Sequence, residues 1–389
     1  MKDEFVTGVN YWPIGSAMNW WHRFDAMVVE EDFSRIKETG LSVVRIFLLW
    51  EDFQPTPQKI SVKVLDQLVT VMEIGSEKSL RLMPTLFTGH MSGMNYLPAW
   101  MLELKESEDR SPVFSAGKKK KNAIRNFYTD REIIEAQKLF IQEVSGALQG
   151  HPALWAWDLG NEPSNIALPS SRNDGLVWLE EMVSELKKRD ETIPVTLGLH
   201  QEDLEEDRKM GPKEVAAFCD FLSMHTYSIY ANWGDGPLDE DVSPFLGLLT
   251  YWLGSKKVMI EEVGVSSSNF FKEGELTVSE DKAFDYYEHL LPRLTGFDFL
   301  GVLFWCYGDY ARALWDQAPF DEQKHERYFG LFHEDRSPKS FVPLIKSFQM
   351  EKEVRPVSFD WINIEPDEYF QDPVKHLSRL YRRFKERGL

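Results

Sequence analysis

The sequence predicts an α/β fold, a closed (β/α)8 TIM barrel, on three observations. Eight short apolar runs rich in β-branched and aromatic residues recur along the 389-residue chain, and helical patterns separate most of them. Apolar strands that alternate with helices favour parallel pairing with both faces of the sheet covered, and eight such units close into a barrel. A doubly wound open sheet is the competing fold, but no glycine-rich phosphate loop follows the first strand.

The eight strands are predicted from short runs bounded by turn residues. The first covers residues 5–11, and the second, at 41–49, follows a helical stripe at Phe33 and Ile36 that ends at Gly40. The other six are predicted at residues 80–87, 153–160, 193–199, 218–224, 257–262 and 299–306.

Apolar residues three and four apart predict helices between these strands. The clearest stripes are Leu65, Leu68 and Met72; Ile133, Gln137, Phe140, Val144 and Leu148; Leu176, Leu179, Val183 and Leu186; residues 245–253; and Phe284, Tyr287, Leu291 and Leu294. Thr129-Asp130-Arg131-Glu132 predicts a capping box at the start of the second of these helices. Residues 88–128 show no periodicity and are predicted to be a long loop segment after strand three.

The domain organisation is predicted to be one catalytic barrel over residues 1–350. No linker rich in proline or serine interrupts it. Residues 351–389 are predicted to be a C-terminal extension packed on the barrel, because they contain a polar stretch and then a helical stripe at Val374, Leu377, Leu380, Tyr381 and Phe384.

The charge balance excludes a polyanion partner. The chain has 44 Lys and Arg against 63 Asp and Glu, a formal net charge of −19 that would repel phosphate, so no nucleic-acid partner is expected. The basic run at residues 118–121 is predicted to be a solvated loop. No run of about 18 apolar residues occurs, and residues 1–5 contain no apolar signal core, so no membrane partner and a cytoplasmic location are expected.

The cysteines predict neither a metal cluster nor a cofactor. Cys219 and Cys306 lie far apart and neither belongs to a CxxC pair. No cofactor and no metal are therefore expected.

Acidic residues stand at the predicted ends of strands four and seven. The stretch at residues 157–163 passes from an apolar run into a turn through Asn161 and Glu162, and residues 258–260 run into Glu261 and Glu262. In a barrel the active site lies at the C-terminal ends of the strands. We therefore expect two carboxylates that face one ligand, which is the arrangement that glycoside hydrolysis requires.

Further polar and aromatic side chains fall at the same end of the predicted barrel. Arg45 lies inside strand two, where a buried arginine needs a carboxylate partner. His90 follows strand three, and His225 and Tyr227 follow strand six. Trp305 lies near the end of strand eight, where its ring is expected to form the floor beneath a sugar.

With these residues in this order, the chain resembles the glycoside hydrolases of clan A, and most of all family 5 with its mannanase and β-mannosidase members. That family has an Arg on strand two, a His after strand three, an Asn-Glu pair on strand four, a His and a Tyr around strand six, a Glu on strand seven and a Trp on strand eight. The resemblance covers about residues 5–345, and the matching positions are Arg45, His90, Asn161, Glu162, His225, Tyr227, Glu262 and Trp305.

The resemblance implies a retaining mechanism, with Glu162 as the acid/base and Glu262 as the nucleophile, their carboxyl groups about 5–5.5 Å apart. The acid must be protonated, so we expect the nearby Trp155 and Trp157 to raise the pKa of Glu162. The nucleophile must stay ionised, which favours hydrogen-bond donors such as Arg45 around Glu262.

The strand-seven motif departs from the family pattern. That motif usually has the sequence Glu-Phe-Gly, whereas this chain has Glu261 and Glu262 before Val263 and Gly264. Side chains alternate between the faces of a strand, so only one of the two acids is expected to face the centre. The position two before Gly264 favours Glu262 as the nucleophile.

The leading functional prediction is a retaining glycoside hydrolase that cleaves β-1,4-linked, mannose-containing oligosaccharides or glycans. The lack of a signal core and the long segment after strand three both favour exo action. A β-glucan hydrolase or transglycosylase of the same clan would use the same carboxylates, and a non-catalytic carbohydrate-binding barrel is the alternative from another class. The sugar and the oligomeric state stay open.

Overall fold

The computed structural model describes residues 5–106, 111–269, 276–348 and 357–387, and its centre is a closed barrel of eight parallel strands. Each strand pairs with its neighbours along the chain, and β8 pairs with β1 to close the ring. The predicted (β/α)8 barrel is therefore confirmed. The strands are β1 Val6–Tyr11, β2 Val43–Leu49, β3 Arg81–Thr88, β4 Trp157–Asn161, β5 Val195–His200, β6 Leu222–Thr226, β7 Val258–Val263 and β8 Gly301–Phe304.

Two strands begin four residues later than predicted. The sixth strand was expected from Phe218, but Phe218 ends a helix and β6 begins at Leu222. The fourth was expected from residue 153, but only Leu154 makes an isolated bridge there and β4 begins at Trp157. In both places mostly apolar residues precede the strand, so hydrophobicity alone does not mark the boundary.

A helix follows each strand, and the predicted apolar stripes face the barrel. In the helix after β2, for example, Leu68 and Met72 are fully buried. The helices are α1 Ala26–Glu38, α2 Val62–Glu77, α3 Arg131–Ala147, α4 Arg172–Lys187, α5 Pro212–Phe218, α6 Val242–Gly254, α7 Glu280–Thr295, α8 Val342–Phe348 and the C-terminal α9 Pro373–Glu386. Short helical turns lie at Ala17–Asn19, Trp50–Phe53, Ala99–Met101, Pro163–Asn165, Glu202–Glu205, Ser228–Tyr230, Arg312–Leu314, Lys324–Tyr328 and Pro366–Tyr369.

The start of α3 differs from the predicted capping box by one residue. The N-cap is Asp130, whose Oδ1 accepts hydrogen bonds from the backbone nitrogens of Glu132 at 3.1 Å and Ile133 at 3.4 Å. Aspartate caps a helix as well as threonine does, and Arg125 donates to the other carboxylate oxygen at 2.7 Å. The prediction that Thr129 caps this helix is therefore wrong.

The segment after β3 contains short strands where a loop was predicted. Strands of two to five residues are too short for an alternating pattern to be recognised. Residues 107–110 of this segment lie outside the described residues. A four-stranded sheet is built from His90–Met91, Met94–Tyr96, Val113–Ser115 and Lys118–Lys120, and a two-stranded sheet from Leu102–Glu106 and Asn122–Ile124.

The predicted basic loop at residues 118–121 is part of this segment and lies mainly in a strand. Its lysines are exposed, but Lys119 Nζ lies 2.6 Å from Glu322 Oε1 and 3.1 Å from Asp321 Oδ2, in the loop after β8. The run therefore joins the segment after β3 to the loop after β8.

Residues 357–387 pack beside α6, the loop before it and the helical turn Glu202–Glu205 after β5. The Tyr381 hydroxyl donates to Asp239 at 2.5 Å, and the Tyr369 hydroxyl donates to the backbone oxygen of Leu204 at 2.7 Å. Helix α9 buries the predicted apolar stripe except for Val374, which is 64% exposed. The predicted domain boundary between residues 350 and 351 lies outside the described residues.

Among the helices of the described residues, none has both the length and the apolar character that crossing a membrane requires.

Replacing Gly301 tests the seam that closes the barrel. A Cβ at position 301 would lie 2.0 Å from the backbone oxygen of Val6 on β1. We expect Gly301→Ala to lower the free energy of unfolding by about 1–3 kcal/mol or more, because the strands must separate to admit the methyl group. Thermal unfolding followed by circular dichroism measures the effect.

The matched control is Gly15→Ala, at an exposed turn where a Cβ would meet no atom within 4 Å. Its stability should stay within about 0.5 kcal/mol of the wild type. Equal stability of the two variants would contradict a tight β1–β8 seam.

Candidate active site

Arg45 on β2 is the centre of a buried group of carboxylates. Its side chain is fully buried. Nη1 lies 2.6 Å from Glu262 Oε1, and Nη2 lies 2.7 Å from Asp158 Oδ2 and 3.5 Å from Glu261 Oε2. Nη2 also donates to Asn161 Oδ1 at 2.9 Å. One guanidinium therefore joins strands β2, β4 and β7.

The charged groups around Arg45 shift one another's pKa values. Burial opposes the charge of Arg45, but Glu261, Asp158 and Glu262 outweigh it and raise the pKa of Arg45. Burial and the charge of Glu261 raise the pKa of Asp158 to about 6, against the effect of Arg45. Burial also opposes the ionisation of Glu261, yet Arg45 and His225 lower its pKa. Removing the shared cation would leave buried charges unpaired, which is very costly.

A β-bulge turns both acids of β7 towards the barrel interior. The register between β6 and β7 shifts just before His225, which pairs with Glu262, so Glu261 is one extra residue on β7. An extra residue interrupts the alternation of side chains between the faces of a strand. Both acids therefore reach Arg45, and the prediction that only one of them faces the centre is wrong.

Glu262 is held at the mouth of the barrel by two hydrogen-bond donors. The Tyr227 hydroxyl donates to Oε2 at 2.6 Å, and Arg45 Nη1 donates to Oε1 at 2.6 Å. Burial raises the pKa of Glu262, with a further contribution from the charge of Glu162, while His225 and Arg45 oppose the shift. These two short hydrogen bonds orient both oxygens of the carboxylate, which lines the cavity.

Glu162 follows β4 in the left-handed backbone conformation, with φ of 47° and ψ of 53°. A residue with a side chain rarely adopts it, and such residues are concentrated at functional sites. Asn165 Nδ2 donates to Glu162 Oε2 at 3.0 Å, and His225 Nδ1 lies 2.8 Å from Oε1. Burial opposes ionisation, but His200, His225 and His90 outweigh it and lower the pKa of Glu162.

The predicted apolar wall around Glu162 is wrong. The Trp155 ring lies 6.2 Å from the ring of Phe221 and beside the Arg81 guanidinium, at the starts of the strands. Trp157 is the first residue of β4 and lies away from its C-terminal end. Polar groups surround Glu162 instead, which explains why its pKa is lowered where apolar walls would have raised it.

His90, Asn161 and Trp305 complete the predicted group. His90 Nδ1 donates to Asn95 Oδ1 at 2.7 Å, so its Nε2 faces Glu162 Oε2 at 3.7 Å. Asn161 Nδ2 donates to the backbone oxygen of His90 at 3.0 Å. Trp305 lines the same cavity as His90. The structure therefore brings all eight predicted site residues into one connected group.

The cavity above this group has a volume of about 230 Å³. Its wall includes loop residues that the sequence did not indicate, because loops have no periodic pattern: Ser92, Gly93, Asn165, Gln201, Glu202, Tyr230, Gln323, His325 and Glu326. Asp158, also missed, lies below the cavity. The alternation of side chains along β4 could not have located it, because the register between β4 and β5 shifts between Asp158 and Asn161.

The two catalytic candidates lie close together. One carboxylate oxygen each of Glu162 and Glu262, with a ring nitrogen of His225, lie within 4.8 Å of one another. These atoms could surround a metal ion, but both ring nitrogens of His225 already make hydrogen bonds, to Glu162 and to Glu261. We assign no metal ligands here. The carboxylates are near enough to act on a single sugar residue.

A family model described as β-galactosidase matches residues 19–193, and no curated protein matches the sequence.

Solved structures share this fold over most of the chain. A GH5_18 protein of Streptomyces cattleya in complex with GlcNAc has a TM-score of 0.77 and 20% identity, covering 91% of this chain and 82% of that one. A variant from the same organism, in complex with Manb1-4GlcNAc, has a TM-score of 0.76 and 20% identity, covering 89% and 80%. The exo-beta-1,4-mannosidase of Opitutaceae bacterium strain TAV5 has a TM-score of 0.73 and 21% identity, covering 89% and 59%. The resemblance to the clan A glycoside hydrolases is confirmed.

Replacing Arg45 tests whether the carboxylates depend on it. We expect Arg45→Met to lower the free energy of unfolding by about 3–5 kcal/mol at neutral pH, because buried charges lose their partner. Unpaired carboxylates have raised pKa values, so protonation relieves them and the loss should shrink as the pH falls from about 8 to about 5. Urea unfolding followed by tryptophan fluorescence at both pH values measures this.

Arg131→Met is the matched control, because the Arg131 side chain is 66% exposed and pairs with surface acids. It should cost about 1 kcal/mol or less. An Arg45 variant as stable as this control, or one whose loss does not depend on pH, would show that the acids are satisfied without Arg45.

Proposed function

We propose that this chain, which resembles the clan A glycoside hydrolases, is a retaining β-glycosidase that removes terminal mannose from short β-1,4-linked oligosaccharides. The proposal rests on the carboxylates of Glu162 and Glu262, whose nearest oxygens lie within 4.8 Å beside one small cavity. Retaining enzymes hold the two carboxyl groups about 5–5.5 Å apart, whereas inverting enzymes leave about 6.5–9.5 Å for a water molecule. The short separation supports double displacement.

Glu262 is the proposed nucleophile. In the first step its carboxylate attacks the anomeric carbon, the bond to the leaving oxygen breaks, and a glycosyl ester forms. Arg45 and Tyr227 fix the carboxylate before the reaction, so no donor has to be reorganised as the carboxylate forms its bond to the anomeric carbon. Glu261 has the same charge but does not line the cavity, which supports Glu262 for this role.

Glu162 is the proposed acid/base. It gives a proton to the leaving oxygen in the first step and takes one from the attacking water in the second. Its lowered pKa means that it needs a neighbour to hold the proton. Burial would lower the pKa of His225, but Glu262, Glu162 and Glu261 raise it to about 10, so His225 is that neighbour.

The wall of the cavity favours action at the end of a sugar chain. Ser92, in the segment after β3, donates to Glu326 Oε2 at 3.0 Å in the loop after β8, and Lys119 pairs with the same loop. Ser92 and Glu326 both line the cavity, so these segments meet at its wall. The volume of about 230 Å³ is below the range of about 300–1,000 Å³ for drug-sized ligands. One sugar residue suits such a space better than a polymer.

The similar structures support mannose as the sugar, since one was determined with Manb1-4GlcNAc and another is named an exo-beta-1,4-mannosidase. The matched family model is described as β-galactosidase, which makes a β-galactoside the second candidate for the same cavity and the same carboxylates.

A substrate panel tests the sugar. We expect the aryl β-mannoside to be hydrolysed at least about tenfold faster, in kcat/KM, than the aryl β-galactoside or β-glucoside, because a shaped pocket discriminates by about 1–3 kcal/mol for one group. Manno-oligosaccharides should lose one mannose at a time, as seen by chromatography.

Each other result identifies a different function. Faster hydrolysis of the galactoside would favour the second candidate. Products from cello-oligosaccharides, or transfer products, would favour a β-glucan hydrolase or transglycosylase. Sugar binding without turnover would identify a carbohydrate-binding barrel.

Azide separates the roles of the two carboxylates. With an activated aryl β-mannoside, Glu262→Ala should form the α-mannosyl azide, because azide occupies the space of the missing nucleophile. Glu162→Ala should form the β-mannosyl azide, because azide then attacks the glycosyl ester without needing a general base. Proton NMR distinguishes the two products.

Glu261→Ala is the matched control for this experiment. It removes the neighbouring acid, which does not line the cavity, and should form neither azide product. The α-azide from the Glu162 variant and the β-azide from the Glu262 variant would exchange the two proposed roles.

A further inference from the structure

Glu261 is a fully buried acid that does not line the cavity. The bulge on β7 directs it inward, below the cavity. Its Oε1 accepts a hydrogen bond from Ser223 Oγ at 3.0 Å, and its Oε2 lies 3.0 Å from His225 Nε2. A buried acid bonded to a catalytic neighbour can change the proton affinity of that neighbour.

His225 joins Glu261 to Glu162. Its Nε2 lies 3.0 Å from Glu261 Oε2 and its Nδ1 lies 2.8 Å from Glu162 Oε1. Two hydrogen bonds in series require two protons, one for each pair of atoms. We call these three residues the proton chain.

The two protons of the chain can be arranged in three ways, and the lowered pKa of Glu261 disfavours the one in which Glu261 is protonated. In the other two, either His225 is an imidazolium between two carboxylates, or a neutral His225 donates from Nε2 and accepts at Nδ1 from a protonated Glu162. These two arrangements have the same net charge. They differ only in which end of a 2.8 Å hydrogen bond holds one proton.

We infer that the proton chain stores the acid proton of the reaction, and that Glu261 is the positioning residue that keeps this proton in the chain. The inference rests on the proposed function. In the first step the proton passes from His225 Nδ1 to Glu162 Oε1 and then to the leaving oxygen, as the bond from that oxygen to the anomeric carbon breaks. In the second step the attacking water gives a proton to Glu162, which restores the chain. Glu261 gives up no proton and touches no substrate.

The pKa directions of the chain are consistent with one shared proton. The pKa of His225 is raised to about 10, since the carboxylates outweigh burial, and the pKa of Glu162 is lowered. Before the first step the shared proton therefore rests on His225. The lowered pKa of Glu162 then agrees with its role as the acid, because the proton is one hydrogen bond away.

Charged and titratable groups face the chain from every neighbouring strand. Within the described part of the molecule, only Glu162 and Glu261 are hydrogen-bonded to the ring of His225. Replacing Glu261 is therefore the most direct way to change the proton affinity of His225 from outside the cavity. The other groups are Arg45 on β2, His90 after β3, Asp158 on β4, His200 on β5, Asp203 after β5, Tyr227 after β6 and Glu262 on β7.

Glu261→Gln tests the inference, because it keeps the acceptor oxygen and removes the charge. We expect the pKa of His225 to fall by about 1–3 units in this variant. The basic limb of the pH profile of kcat/KM, which reports the acid of the free enzyme, should move to lower pH with it. The readouts are the ¹⁵N NMR titration of the His225 ring and the rates with an aryl β-mannoside.

The matched control is Asp158→Asn. It removes an equally buried negative charge from the same Arg45, but Asp158 makes no hydrogen bond with His225. Both readouts should therefore move less than in Glu261→Gln.

The NMR titration of His225 in the wild type is the first test of the inference, because it requires neither a variant nor turnover. If His225 of the wild type titrates near the ordinary value of about 6.5, or if Glu261→Gln leaves its titration or the basic limb unchanged, the inference is overturned. If His225 titrates as expected but no glycoside is hydrolysed, the proposed function has failed while the hydrogen-bonded chain stands.

Discussion

The pairing of one buried guanidinium with three carboxylates is the interaction on which this site depends. Arg45 holds Asp158, Glu261 and Glu262 at distances between 2.6 and 3.5 Å. In a low-dielectric interior, acids this close together would repel one another strongly and take up protons instead. Because these acids come from two strands on opposite sides of Arg45 in the ring, they can share it only when the barrel is closed. The chemistry is therefore a consequence of the fold.

His225, the second cation of the site, has a different role from Arg45. Arg45 cannot lose its proton under ordinary conditions, so it provides a fixed charge, whereas an imidazole can give a proton up. His225 lies between Glu162 and Glu261 and is close to Glu262 as well, at 3.5 Å. The site thus separates a permanent charge, which orients the nucleophile, from a movable proton, which serves the acid. Two donors to Glu262 and one shared proton for Glu162 would let two similar side chains perform opposite tasks.

The sequence predicted the barrel and the proximity of Glu162 and Glu262. Hydrophobic patterns indicate where the strands end, and the C-terminal ends of all parallel strands lie at one face of the barrel. The sequence could not predict the inward turn of Glu261, since a single extra residue leaves no compositional trace. Nor could it predict that Ser92 and Glu326 would meet, although they are 234 residues apart. The predicted rise in the pKa of Glu162 is wrong because Trp155, its neighbour in sequence, packs against Phe221 and Arg81 instead.

Covalent trapping tests the central claim most directly, namely that this group of carboxylates prepares Glu262 as a nucleophile. A 2-deoxy-2-fluoro-β-mannosyl fluoride forms the glycosyl ester quickly but releases it slowly, so the labelled residue can be found by mass spectrometry of peptides. We predict a single label on Glu262 and none in the Glu262→Ala variant. A label on Glu162 or Glu261, or continued turnover without any label, would contradict this assignment.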